Sequence, residues 1–144
     1  MKNQLCTSLF VFFLTLGTHA QVWTIDPNHS SIMFNAKHSG ISFVNGRFME
    51  FEATVKGGTP LDFTGAQVSF QAQVGSVSTG AEGRDKHLKS SDFFDMENYP
   101  TITFISKSFI KSSEKKYKVV GDLTMRGNTK EVILSANHIG STKT

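Results

Sequence analysis

At 144 residues, with 15 basic against 12 acidic side chains and a net charge of +3, the chain has room for one domain and lacks the charge excess of a polyanion-binding surface. Its single cysteine, Cys6, excludes an intrachain disulfide and any cysteine-built metal centre. Of the 13 phenylalanines, ten lie beyond residue 20 and supply the bulk of an apolar interior.

Residues 1–20 read as a secretory signal. Lys2 gives the positive n-region, Leu9 to Leu16 the apolar h-region, and Thr18-His19-Ala20 a small-residue site before Gln21. The apolar run is too short to span a bilayer. Cys6 precedes it, so a mature chain beginning at Gln21 carries no thiol, and its expected location is periplasmic or secreted.

From Gln21 onward the pattern is that of short antiparallel strands. Ile32, Phe34, Ala36 and His38 alternate with polar neighbours, and Ser39-Gly40 marks a turn. Between Phe43 and Val55 the apolar phase slips, since Phe48 has opposite parity to Phe51, Ala53 and Val55; a β-bulge near Met49-Glu50 would reconcile them. Gly57-Gly58-Thr59-Pro60 is a turn, and Ala66 to Val74 is the clearest strand, with Val68, Phe70, Ala72 and Val74 on one face.

The run from Ser78 to Pro100 is a charged island, far longer than an ordinary strand connection. Thr79 and Glu82 have capping-box spacing, and Asp85, Leu88 and Lys89 follow at helical intervals, which predicts one or two short helices. Strands resume at Thr101 to Ser106, which puts Ile102 and Phe104 together, and at Tyr117 to Leu123, which puts Tyr117, Val119, Gly121 and Leu123 together; Lys111, Lys115, Lys116 and Lys118, flanking Ser112, Ser113 and Glu114, read as a solvated hairpin tip. Arg126-Gly127-Asn128 is a tight turn into Val132 to Ala136. Strands with one wet and one apolar face either stack as a sandwich or curl into a barrel, and the many inward aromatic residues favour curling.

The strings Trp23-Thr24-Ile25-Asp26-Pro27-Asn28-His29-Ser30, Ser76-Val77-Ser78-Thr79, Arg84-Asp85-Lys86-His87-Leu88-Lys89-Ser90, Asp92-Phe93-Phe94 and Gly121-Asp122-Leu123-Thr124-Met125-Arg126-Gly127, with Phe34, Ala36, His38, Gly46, Phe48, Tyr99, Pro100 and Phe104 between them, resemble the YceI family from Val22 to about Leu134. The resemblance implies an all-β protein, an antiparallel lipocalin-like β-barrel of about eight strands, with one or two short helices in the 79–97 loop. It also implies a periplasmic lipid carrier or storage protein, not an enzyme, that encloses an isoprenoid chain or another long amphiphile. Family members continue past the strand that here is Val132 to Ala136; this chain stops at Thr144, so either the tail is cut or the barrel stays open on one side. The expected division is a signal over residues 1–20 and one domain over 21–144. An open edge invites pairing with another chain, which would make a homodimer.

The inward residues Phe34, Ala36, His38, Phe43, Phe48, Val68, Phe70, Ala72, Phe93, Phe94 and Phe104 form either a solid core or the wall of a lipid pocket. Pattern alone favours the core; the family resemblance favours the pocket, with Phe93-Phe94 across its mouth. Arg84, Asp85, His87 and His38 are the polar candidates for a headgroup. Two other readings of them stand: His87 with Asp85 as an acid/base pair acting on a lipid headgroup, and Asp85 with Arg84 as a network that pins the loop. No serine stands in a nucleophile elbow, and His29, His38, His87 and His138 lack close metal-ligand spacing, so neither a triad nor a metal is expected. The expected partner is a long-chain lipid, with only transient membrane contact and no nucleic acid; the remaining alternative is a ligand-free structural or partner-binding module.

Overall fold

The computed structural model describes residues 21–141; the expected signal segment lies outside them. In chain order the elements are β1 (Val22–Thr24), β2 (Ile32–His38), β3 (Ser42–Phe48), β4 (Phe51–Lys56), β5 (Gln67–Gln73), β6 (Val77–Ser78), α1 (Glu82–Lys89), β7 (Thr101–Ser113), β8 (Lys116–Met125) and β9 (Asn128–Asn137). They make two antiparallel sheets, one in the order β1-β4-β5-β7-β8-β9 and one in the order β2-β3-β6. Among the described residues no ladder joins β9 to β2, so the sheets do not close into a barrel.

Two departures from simple alternation shape the sheets. The phase slip at Met49-Glu50 is not a bulge within one strand: β3 ends at Phe48, and β4 starts at Phe51 in the other sheet. Ser76 holds this corner, accepting from Met49 N through its carbonyl at 3.1 Å and from Glu50 N through its hydroxyl at 3.0 Å. A true bulge occurs further on, where the β7–β8 register shifts between Ser106 and Ser108. The extra residue, Lys107, reverses the parity of β7, so that Phe109 turns inward like Phe104 before it. On the outer face the Lys107 ammonium bonds Asp122 at 2.7 Å and Glu131 at 3.0 Å.

The core has two clusters. One gathers Phe48, Ala72, Val74, Val77 and Ile102, with Phe34, Phe94 and Leu88 packed on it, and so joins the small sheet and α1 to the large sheet. The other gathers Ala66, Phe104, Phe109, Tyr117 and Val119 within the large sheet. Phe70 and Leu123 touch both. Two glycines permit the ring packing: a Cβ on Gly46 would clash with the ring edge of Phe34 opposite, and one on Gly121 would meet the Phe104 ring at 2.6 Å. Either substitution must displace an aromatic ring.

Candidate functional site

Two cavities lie against these clusters. The first, of about 520 Å³, sits between β2–β3 and α1, lined by Phe34, Ala36, Lys37, His38, Val44, Gly83, Arg84, His87, Leu88 and Phe93. The second, of about 410 Å³, lies on the apolar face of the large sheet, lined by Val55, Phe63, Val68, Phe70, Phe104, Phe109, Tyr117, Val119, Leu134 to Asn137, and His138. Both volumes fall in the range of small-molecule sites.

The first cavity owes its shape to β2 parity and to the placement of α1. Phe34, Ala36 and His38 project from one face of β2, and α1 lays Arg84, His87 and Leu88 against them. The hub of the loop is Thr79, just after β6. Its backbone N–H and hydroxyl both donate to Asp85 Oδ1, at 2.8 and 2.6 Å, while the Arg84 guanidinium donates to the Thr79 hydroxyl at 2.7 Å and carbonyl at 3.0 Å. The Thr79 hydroxyl bond, foremost, holds the Asp85 carboxyl below its ordinary range. The capping box is not formed: Ala81 is the N-cap of α1 without a side-chain bond, and Thr79 is instead spent on Asp85. At the far end of the loop, Arg126 donates to the Ser91 carbonyl at 2.6 Å, tying the loop to the β8–β9 turn.

His87 does not pair with Asp85. Its Nε2 meets Asp92 Oδ2 at 3.1 Å, and its ring stands edge-on to Phe93 with centroids 4.8 Å apart. The acid/base pair considered from sequence is therefore absent, because Asp85 is turned to Thr79. Among the described residues no group of three His, Cys, Asp or Glu could hold a metal ion, and no helix is long and apolar enough to cross a membrane.

The sequence candidates divide three ways. Phe34, Ala36, His38, Arg84, His87 and Phe93 line the first cavity, and Val68, Phe70 and Phe104 the second. Phe48, Ala72 and Phe94 are packed in the core between sheets, the Phe94 ring against both Phe34 and Phe48. Phe43 lines neither, since it has the opposite parity to Val44, Gly46 and Phe48 on β3 and is 64% exposed. Sequence reasoning missed Lys37, Val44 and Leu88 in the first cavity and Phe63, Phe109, Leu134 and His138 in the second. Phe63 lies in a turn segment, and Phe109 lies beyond the bulge where parity reading stops. Tyr117 and Val119 were legible as an inward pair.

The polar groups of the second cavity are engaged. The buried Tyr117 hydroxyl donates to Asp62 Oδ1 at 3.3 Å and accepts from Phe63 N at 3.3 Å. Hydrogen bonds from Thr64, then Lys111, hold the Asp62 carboxyl far below its ordinary range. His138 Nε2 bonds Ser141 Oγ at 3.0 Å.

A family model described as the YceI-like domain matches residues 23–144. The chain belongs to the YceI family. It is 39% identical over 121 residues to a UPF0312 protein of Staphylococcus aureus, covering 84% of this chain and 67% of that one. A UPF0312 protein of Vibrio cholerae is 32% identical over 133 residues, covering 91% and 70%. Among solved structures, the YceI protein of Campylobacter jejuni superposes with a TM-score of 0.61 at 34% identity, covering 80% of this chain and 67% of that one. BcnA of Burkholderia cenocepacia gives a TM-score of 0.70 at 24% identity over 77% of this chain and 69% of that one, a likeness of fold. This YceI chain thus spans between 67% and 70% of each of these relatives.

Proposed function

We propose that this YceI protein binds a long-chain amphiphile, such as an isoprenoid quinone or polyprenyl lipid, along its apolar interior, as an exported carrier or storage protein. The observation that carries the reading is the pair of cavities, each with phenylalanine and aliphatic side chains in its wall, set against two core clusters that share Phe70 and Leu123. Apolar surface left uncovered on this scale marks a site for a ligand or a partner. Binding here needs no reaction. Each CH₂ group buried contributes about 0.8 kcal/mol, so ten carbons supply roughly 8 kcal/mol before ordering costs, enough for about micromolar affinity.

The exported location rests on the character of residues 1–20, and exchange of a lipid with a membrane would follow from it. Against an enzyme acting on the headgroup through His87 and Asp85 stands the engagement of Asp85 with Thr79 and of His87 with Asp92, so that pair is not formed. The test is a titration with an octadecyl-chain fluorescent probe. Saturable, one-to-one binding is expected; no binding of any long-chain probe leaves only the structural module.

A further inference from the structure

We infer that one end of the large sheet is a docking surface for an anionic phospholipid bilayer, and that the second cavity takes up its amphiphile there. This rests on the amphiphile reading above and adds to it the place of exchange. The observation is two outlying aliphatic side chains set among lysines beside that cavity. Leu61, in the turn between β4 and β5, is 83% exposed, and Ile139, just past β9, is 92% exposed.

Hydrogen bonds bring these segments together. The Ser141 hydroxyl donates to the Pro60 carbonyl at 2.7 Å, which ties the stretch after β9 to the turn that carries Leu61. His138 N donates to the Lys115 carbonyl at 2.9 Å, and Lys111 Nζ meets Asp62 Oδ2 at 3.2 Å, so the β7–β8 hairpin tip joins the same group. Phe63 and His138 both line the second cavity, with ring centroids 5.4 Å apart. Leu61 lies just before Phe63 in the chain, and Ile139 directly follows His138. The two exposed side chains therefore border the cavity.

Charge is unevenly spread over the molecule. Lys56, Lys111, Lys115, Lys116 and Lys118, all exposed, gather at this end against Asp62 and Glu114. The other described residues hold eight basic and ten acidic side chains, so the positive charge is concentrated here. Of the five lysines, only Lys111 is ion-paired among the described residues. Exposed aliphatic tips flanked by lysines suit a bilayer interface, with the apolar groups at the acyl boundary and the ammonium groups at the phosphates. A soluble polyanion would use the lysines and leave Leu61 and Ile139 in water. Docked on a bilayer, this end turns the wall formed by Phe63 and His138 toward the lipid, and an amphiphile enters with little exposure of its chain to water.

The experiment is cosedimentation with sucrose-loaded phosphatidylcholine vesicles, with or without phosphatidylglycerol. It compares the wild type with Leu61→Ser plus Ile139→Ser, Lys115→Gln plus Lys116→Gln, and Lys130→Gln. Lys130 is exposed, has no ion pair among the described residues and lies at the opposite end of β9, so it controls for net charge. The expected result is about tenfold tighter binding of the wild type to the anionic vesicles, lost as salt is raised, weakened about tenfold in either double variant and unchanged in Lys130→Gln. All the substituted side chains are exposed, so each variant should fold and should still bind the octadecyl probe offered from solution. No binding of the wild type to anionic vesicles, or equal binding by every variant, overturns the docking surface while the carrier reading stands. Vesicle binding with the expected variant pattern but no probe uptake keeps the docking surface and overturns the carrier reading. Capture on heparin without vesicle binding gives the lysines to a soluble polyanion and contradicts the bilayer.

Discussion

Phe70 on β5 and Phe104 on β7 lie directly opposite one another and stack nearly flat, with ring centroids 5.5 Å apart and planes 17° from parallel. Phe104 is fully buried, whereas Phe70 touches both core clusters, and the two rings together wall the second cavity. The stack therefore sets how deep a chain can lie in that cavity. Replacing Phe70 by Ala is expected to cost about 3 kcal/mol in chemical denaturation, from lost burial and the cavity left behind. It should also move the preferred ligand toward longer chains in a series from dodecyl to eicosyl. A variant that is destabilised with an unchanged chain-length profile would mean the rings do not set the depth of the cavity.

Ala36 and Ala72 are both inward alanines, yet they sit in unlike places. Ala36 lines the first cavity, while Ala72 is 0% exposed in the core. Ala36→Phe should therefore abolish binding of a long-chain probe with little change in melting temperature. Ala72→Phe should overpack and cost about 1 to 3 kcal/mol. Thermal melts and probe titration on the two variants check both expectations.

Gly46 faces Phe34 across the β2–β3 ladder with no room for a methyl group. Gly46→Ala should push the Phe34 ring out of its place, destabilising by about 1 to 3 kcal/mol and weakening ligand binding together. Wild-type stability and affinity in that variant would show that the ring moves at no cost.

Thr79 carries the loop network, so Thr79→Val should cost about 1 to 2 kcal/mol near neutral pH. Its pH dependence has a definite sign. Asp85 in the folded protein is held below its ordinary value of 3.8, so the network stabilises above that value and is lost as pH falls through the folded-state value. The gap in melting temperature between wild type and Thr79→Val should accordingly close in acid. A gap that persists unchanged to about pH 2 would assign the effect to packing of the methyl group rather than to Asp85.

Strand existence was legible wherever alternation ran unbroken, as in Ile32 to His38 and Ala66 to Val74, because a half-buried sheet imposes a period of two on side chains. It failed where the backbone changed phase. The corner at Met49-Glu50 moves the chain between sheets, and the Lys107 bulge hides Phe109, and neither leaves a local signal that separates it from a slip within one strand. The charged island announced a helix, but its capping residue was misread, since Thr79 lies six positions from the Asp85 carboxylate it binds and only the folded turn brings them together. The division of inward residues into core and cavity wall was beyond the pattern altogether. Ala36 and Ala72, or Phe34 and Phe48, have the same parity signature, and what distinguishes them is whether α1 or the opposite sheet lies above.

The most direct measurement is native mass spectrometry of the purified protein, followed by organic extraction and identification of whatever it releases. A carrier with this interior should show a discrete mass increment, lost on extraction, that matches one long-chain amphiphile per protein, or should acquire one when a sixteen- to eighteen-carbon amphiphile is added. A protein that carries no such species and takes up none, while remaining folded, would contradict the binding function.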